Sequence, residues 1–165
     1  MFERLNTPQD AYNYKLGAAL KMEQTVLDML EENVEEANDA HVKELLRHHQ
    51  DETRQQIANL ERAFASFGWE VDTSPCPAIE GLEKEAKATV KKSDDALVDG
   101  IILQGATEVE HHEIGVYENL IINARAMGKD EVVRLLEQNL EQEQHTLEEV
   151  KSAGAQIAAG MPRAA

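Results

Sequence analysis

Four stretches of this sequence space their apolar residues in alternating steps of three and four, the pattern of one buried helical face, and each carries glutamate in mid-face. The first reads Leu16, Leu20, Glu23, Leu27, Leu30. The second, less regular, reads Leu45, His49, Glu52, Gln56. The third reads Leu103, Ala106, Glu110, Glu113, Tyr117, Leu120, Ala124, and the last Leu136, Leu140, Glu143, Leu147, Val150. An unpaired buried carboxylate costs several kcal/mol. The fold must therefore either supply these glutamates with partners in its interior or leave the apolar faces unburied.

Punctuation along the chain divides it into helices. Thr7-Pro8-Gln9-Asp10 predicts an N-cap, a first-turn proline and an acidic third position. Asn38-Asp39 is the next break and cap, and a second helix from about Ala40 to Phe67 closes on Gly68. Ser74-Pro75-Cys76-Pro77 breaks the pattern again before a shorter amphipathic helix, Ala78 to Lys92. Long helices are then expected from about Asp95 to Met127, ending at Gly128, and from about Asp130 to Ala153, ending at Gly154. The expected fold class is all-α. Two antiparallel hairpins joined by a crossover containing a short helix is the connection of a ferritin-like four-helix bundle. The bundle is expected over residues 1–153, with 154–165 as a flexible tail.

Composition narrows the function classes. Aromatic residues make up only 4%, and Asp+Glu 32 against Lys+Arg 16 gives a net charge of −16, which repels nucleic acid and anionic membrane surfaces. No apolar run is long enough to span a bilayer, and the first residues do not resemble a secretory signal, so the expected location is the cytoplasm. With Cys76 as the sole cysteine, there is no Cys-x-x-Cys to hold a metal or a redox disulfide. Any metal has to sit on carboxylates and imidazoles.

Depth counting brings the glutamates to one level. Glu23 and Glu52 are symmetric about the first turn, between Ala37 and Asn38, and Glu113 and Glu143 about Gly128. Each lies about 15 residues from its turn, roughly 22 Å at the helical rise. A lone glutamate on an apolar stripe is usually just solvated. Four helices with matched depths outweigh that reading, and a pair of divalent ions would neutralise the cluster.

Several segments resemble the YciE/YciF family of bacterial stress-associated ferritin-like proteins: His49-Gln-Asp-Glu52-Thr53, Cys76-Pro-Ala-Ile-Glu-Gly-Leu82, Val109-Glu-His-His-Glu-Ile114 with Tyr117, and Leu140-Glu-Gln-Glu143. They span roughly residues 8 to 152. The resemblance implies a bundle, usually dimeric, with a dinuclear iron site on Glu23, Glu52, Glu110, Glu113 and Glu143 and with His49 as a further ligand. Whether His49 or Gln56 completes the shell is open. Ferritin-like di-iron sites commonly place histidine three residues after the glutamates of the second and fourth bundle helices; here those positions are Gln55 and Thr146.

The leading expectation for function is Fe(II) oxidation by O2 or peroxide in stress protection, with two iron ions per chain and an external electron donor. A non-catalytic stress protein stabilised by metal is the alternative, as is Mn catalase-like chemistry, since a carboxylate-rich shell also suits manganese. A homodimer is expected to form through Trp69, Val71, Ile79 and Leu82 around the crossover. His41, His48, His111, His112 and His145 are expected off the core stripes, and Gly17, Gly105 and Gly115 at close helix approaches.

Overall fold

Local chemistry sets the helix boundaries in the computed structural model, which describes residues 4–161. Helix α1 (Pro8–Glu36) opens on a complete capping box: Asp10 N–H donates to Thr7 Oγ1 at 3.0 Å, and Thr7 N–H donates to Asp10 Oδ2 at 2.9 Å. Helix α2 (Ala40–Phe67) starts on Asp39, whose carboxylate accepts from the N–H groups of His41 and Val42. It ends on Gly68 at φ 73°, a left-handed conformation that glycine adopts without a Cβ penalty. The remaining helices are α3 (Pro77–Lys91), α4 (Asp95–Ala126) and α5 (Asp130–Ala159), and no strand occurs among the described residues.

Contacts at the two ends orient the helices. At one end, Tyr12 of α1 packs on Phe67, the last residue of α2, and on Trp69 just beyond it, while its hydroxyl donates to the Leu120 carbonyl of α4. Lys129, entering α5, lies 4.5 Å over the Phe67 ring and donates to the Ser66 carbonyl. At the other end, the Asp99 carboxylate of α4 accepts the N–H groups of Asn38 and Asp39, clamping the α1–α2 turn. Helices α1 and α2 are therefore antiparallel, as are α4 and α5. The segment holding α3 joins the pairs, with α3 packed on α4 and α1.

Several expectations change. Helix α5 does not stop at Gly154 but continues to Ala159, because Ile157 still has core to pack against beside Gly100. Residues 162–165 of the expected tail, like residues 1–3, lie outside the described ones. Ile79, expected at a dimer contact, is fully buried within the chain, and Trp69 and Leu82 pack partly against the same core; Val71 alone of that group stays exposed. Gly17 is a close approach, but to the loop before α3 rather than to a helix: a Cβ there would meet Ser74 Oγ at 2.7 Å. Gly105 does face Ala86 of α3, whereas Gly115 faces open space. No helix among the described residues is long and apolar enough to cross a membrane.

Candidate metal centre

Helical periodicity delivers the acidic side chains to the bundle interior. Glu23 of α1, Glu110 and Glu113 of α4 and Glu143 of α5 are completely buried, and His49 of α2 is 2% exposed. One donor atom from each of His49, Glu110, Glu113 and Glu143 falls within 4.8 Å of the others. The imidazole lies between two carboxylates, Nδ1 3.3 Å from Glu110 Oε1 and Nε2 3.5 Å from Glu143 Oε2, without the alignment of a hydrogen bond.

Electrostatics in this layer are unfavourable as they stand. Burial is the largest cause raising the Glu23, Glu110 and Glu113 carboxyls well above the usual range, and the charge of Glu143 is the next. Both oxygens of Glu110, Glu113 and Glu143, one of Glu23 and both ring nitrogens of His49 have no hydrogen-bond partner. Native interiors satisfy most buried polar atoms, so such a concentration in one place needs an explanation. Hard or borderline divalent cations take carboxylate and imidazole ligands, and this donor set fits them.

Glu23 and Glu52 stand differently. Glu23 Oε1 accepts from the buried Tyr117 hydroxyl, leaving Oε2 unpartnered. Glu52 is at the margin, its side chain 14% exposed, with Oε2 accepting from Thr146 Oγ1 at 3.1 Å and Oε1 3.6 Å from exposed His48 Nε2. The α2 face turned inward is His49, Thr53 and Gln56. Gln56 is fully buried with its amide unpartnered. Of the other histidines, His41, His48, His111 and His145 are exposed and His112 is half-buried.

The sequence reading missed a buried amide network beside the carboxylates. Asn139 Nδ2 donates to the Tyr117 hydroxyl oxygen at 3.1 Å and to the Gln56 carbonyl, while Asn139 Oδ1 accepts from Asn59 Nδ2 at 2.7 Å. Asn139, not Leu140, continues the core face of α5, and Leu140 is half-buried. The step of four from Leu135 through Asn139 to Glu143 is the signal that points to it.

The model of a domain of unknown function, DUF892, matches residues 7–159. The chain belongs to this family. Among solved structures, YcfI from Rhodopseudomonas palustris is similar at 31% identity and a TM-score of 0.88, over 92% of this chain and 98% of that one. The Escherichia coli stress protein YciF gives 22% identity and a TM-score of 0.89, over 95% and 100% of the two chains. A ferritin-like, diiron-carboxylate protein from Bacillus anthracis gives 17% and 0.70, over 90% and 98%. This DUF892 chain is thus of the YciE/YciF type and has a ferritin-like helical bundle. No curated protein matches it.

Proposed function

We propose that this DUF892 chain binds a pair of divalent ions, iron foremost, in its buried carboxylate layer and oxidises Fe(II) with O2 or peroxide as part of stress protection. The observation that carries the reading is the cluster of His49, Glu110, Glu113 and Glu143, with its buried carboxylate and imidazole atoms lacking partners. Those residues, with Glu23, would hold the ions, and Glu52 would close the outer edge. The carboxylates outnumber what one divalent ion neutralises, which favours a pair. A bound iron pair would supply two electrons, enough to take O2 to hydrogen peroxide or hydrogen peroxide to water.

The protein's own part is positioning. Tyr117 donates to Glu23 and is itself held by Asn139, so one carboxylate oxygen is fixed before any ion enters. Burial excludes water and strengthens the attraction between cation and carboxylates. Without a Cys-x-x-Cys in the sequence, the reductant for repeated turnover is an external donor. Assembly as a homodimer and a cytoplasmic location belong to the same proposal. The dimer is checked by light scattering.

Metal analysis of protein purified without chelator, then anaerobic Fe(II) titration and exposure to O2 or peroxide, tests the reading. The expected stoichiometry is about two per chain, with oxidation on exposure to the oxidant. Metal-dependent melting without oxidant consumption would instead favour a non-catalytic, metal-stabilised stress protein, a reading to which the complete burial of Glu110, Glu113 and Glu143 lends weight. A single imidazole among carboxylates also suits manganese, and retention of Mn(II) over Fe(II) would move the chemistry toward peroxide disproportionation.

A further inference from the structure

A cavity of about 20 Å³ lies between α1, α3 and α4, and His49 and Glu110 of the carboxylate layer form part of its wall. Elsewhere the wall is largely aliphatic, with Val26 and Leu30 from α1, Ala86 and Val90 from α3, and Ile102 and Val109 from α4. Its one other polar side chain, Asn33, is half-buried and lies near the α1–α2 turn. From Glu110 to Ile101, another wall residue, is nine residues of α4, roughly 13 Å of helix. The wall residues of α4 thus reach from the metal layer toward that end of the bundle, around a space with room for about one small molecule. Gly105 makes the wall from α3 close: a Cβ at that position would already meet the Ala86 Cβ at 3.5 Å.

Size and lining select the occupant. A space of about 10–15 Å³ holds one water, but a water also needs several polar partners, and apolar cavities stay dry and take apolar guests. Hydrogen peroxide, with two hydroxyl groups to satisfy, would lose hydrogen bonds on entering aliphatic surroundings. Dioxygen has none to lose. The unpartnered polar atoms on the wall belong only to His49 and Glu110, side chains at most 2% exposed at its metal-layer end, where a bound ion would occupy them; the rest of the wall offers peroxide or water little to bond.

We infer that this cavity is the docking site by which molecular oxygen reaches the His49–Glu110 edge of the layer, and that O2 rather than peroxide is the oxidant the fold admits there. The inference rests on the metal reading above for its purpose but not for its first test. Helix α3, which lies outside the hairpins, gains a role: Ala86 and Val90 close the outer wall.

The test begins on the metal-free protein under O2 pressure, with methyl NMR relaxation as the readout. Methyl groups of Val26, Leu30, Ile102 and Val109 are expected to show paramagnetic enhancement several-fold above those of Val132 and Leu136, which are buried elsewhere. Ala86→Leu, which fills the space from the half-buried α3, is expected to remove that excess, and Val90→Ala to increase it. Equal enhancement at both sets of methyls in wild type and Val90→Ala would overturn the inference. In the Fe(II)-loaded chain, Ala86→Leu is expected to slow oxidation by O2 several-fold more than oxidation by hydrogen peroxide, and equal slowing would also overturn it. Failure of the protein to bind Fe(II) would remove the metal reading alone, because the relaxation result stands on the metal-free chain.

Discussion

Two buried polar layers lie side by side in this bundle, and they are finished differently. In the amide layer, Asn59, Asn139 and Tyr117 satisfy one another and reach the Gln56 carbonyl and Glu23. In the carboxylate layer, Glu110, Glu113, Glu143 and His49 are as deeply buried, yet their oxygens and ring nitrogens have no hydrogen-bond partners. The first is a network of neutral groups that can exchange hydrogen bonds among themselves. The second contains acceptors that, ionised, have only the misaligned His49 ring beside them. The contrast teaches that polar burial as such is not the signal of a site in this chain; burial of like charges without aligned donors is.

The largest effect is expected where that contrast is broken on the carboxylate side. Glu110→Ala or Glu143→Ala should abolish stoichiometric binding of Fe(II) or Mn(II), as measured by equilibrium dialysis. Glu148→Ala should leave it intact, because Glu148 is exposed and pairs with Lys151.

A pH dependence sharpens the comparison next. The Glu23, Glu110 and Glu113 carboxyls are raised by burial first and by neighbouring charge second. Groups with raised folded-state values add stability that is complete below the unfolded carboxyl range and is lost as pH rises through the folded values. Metal-free protein should therefore melt at lower temperature at pH 8 than at pH 5.5. Divalent metal should reduce or reverse the slope, and the Glu→Gln variant at Glu23, Glu110 and Glu113 should flatten it. An unchanged slope in that variant would assign the effect to surface charge instead.

On the amide side, Asn139→Ala should cost about 1–3 kcal/mol by denaturant melts, since it removes the buried bonds of Asn139 to Asn59, Tyr117 and the Gln56 carbonyl. It should still bind metal at the wild-type stoichiometry. Thr146→Val should have the smallest effect, about 0.5–1.5 kcal/mol, because it removes one hydrogen bond to Glu52 at the margin of the layer.

Much of this was legible in the sequence where two periodicities agree. Glu23, Glu113 and Glu143 lie both on an apolar stripe and at a common depth, with Glu110 one turn away on the same face, and all four are buried. The capping box at Thr7 and the left-handed Gly68 and Gly128 are equally local and equally readable. Helix α2 was harder. Its stripe passes between Glu52 and Thr53, and a rotation of one residue decides which is inside; packing against α5 turns Thr53 in and leaves Glu52 at the rim beside Thr146. Similarly, Leu140 is the more apolar neighbour of Asn139, yet the Asn139 side chain finds Tyr117 and Asn59 only in the assembled bundle. Gly154 looked like a helix stop because glycine often ends helices. The core beside Gly100 and Leu103 extends past it, and Ile157 holds the added turn.

The central claim is that the unsatisfied carboxylate layer is a metal site, and anomalous diffraction from crystals grown with Mn(II) or Fe(II) tests it most directly. The account predicts peaks bounded by Glu110, Glu113, Glu143 and His49, with Glu23 nearby. Anomalous density confined to the surface groove of His41, His48 and His145, with the buried layer empty at saturating metal, would contradict it.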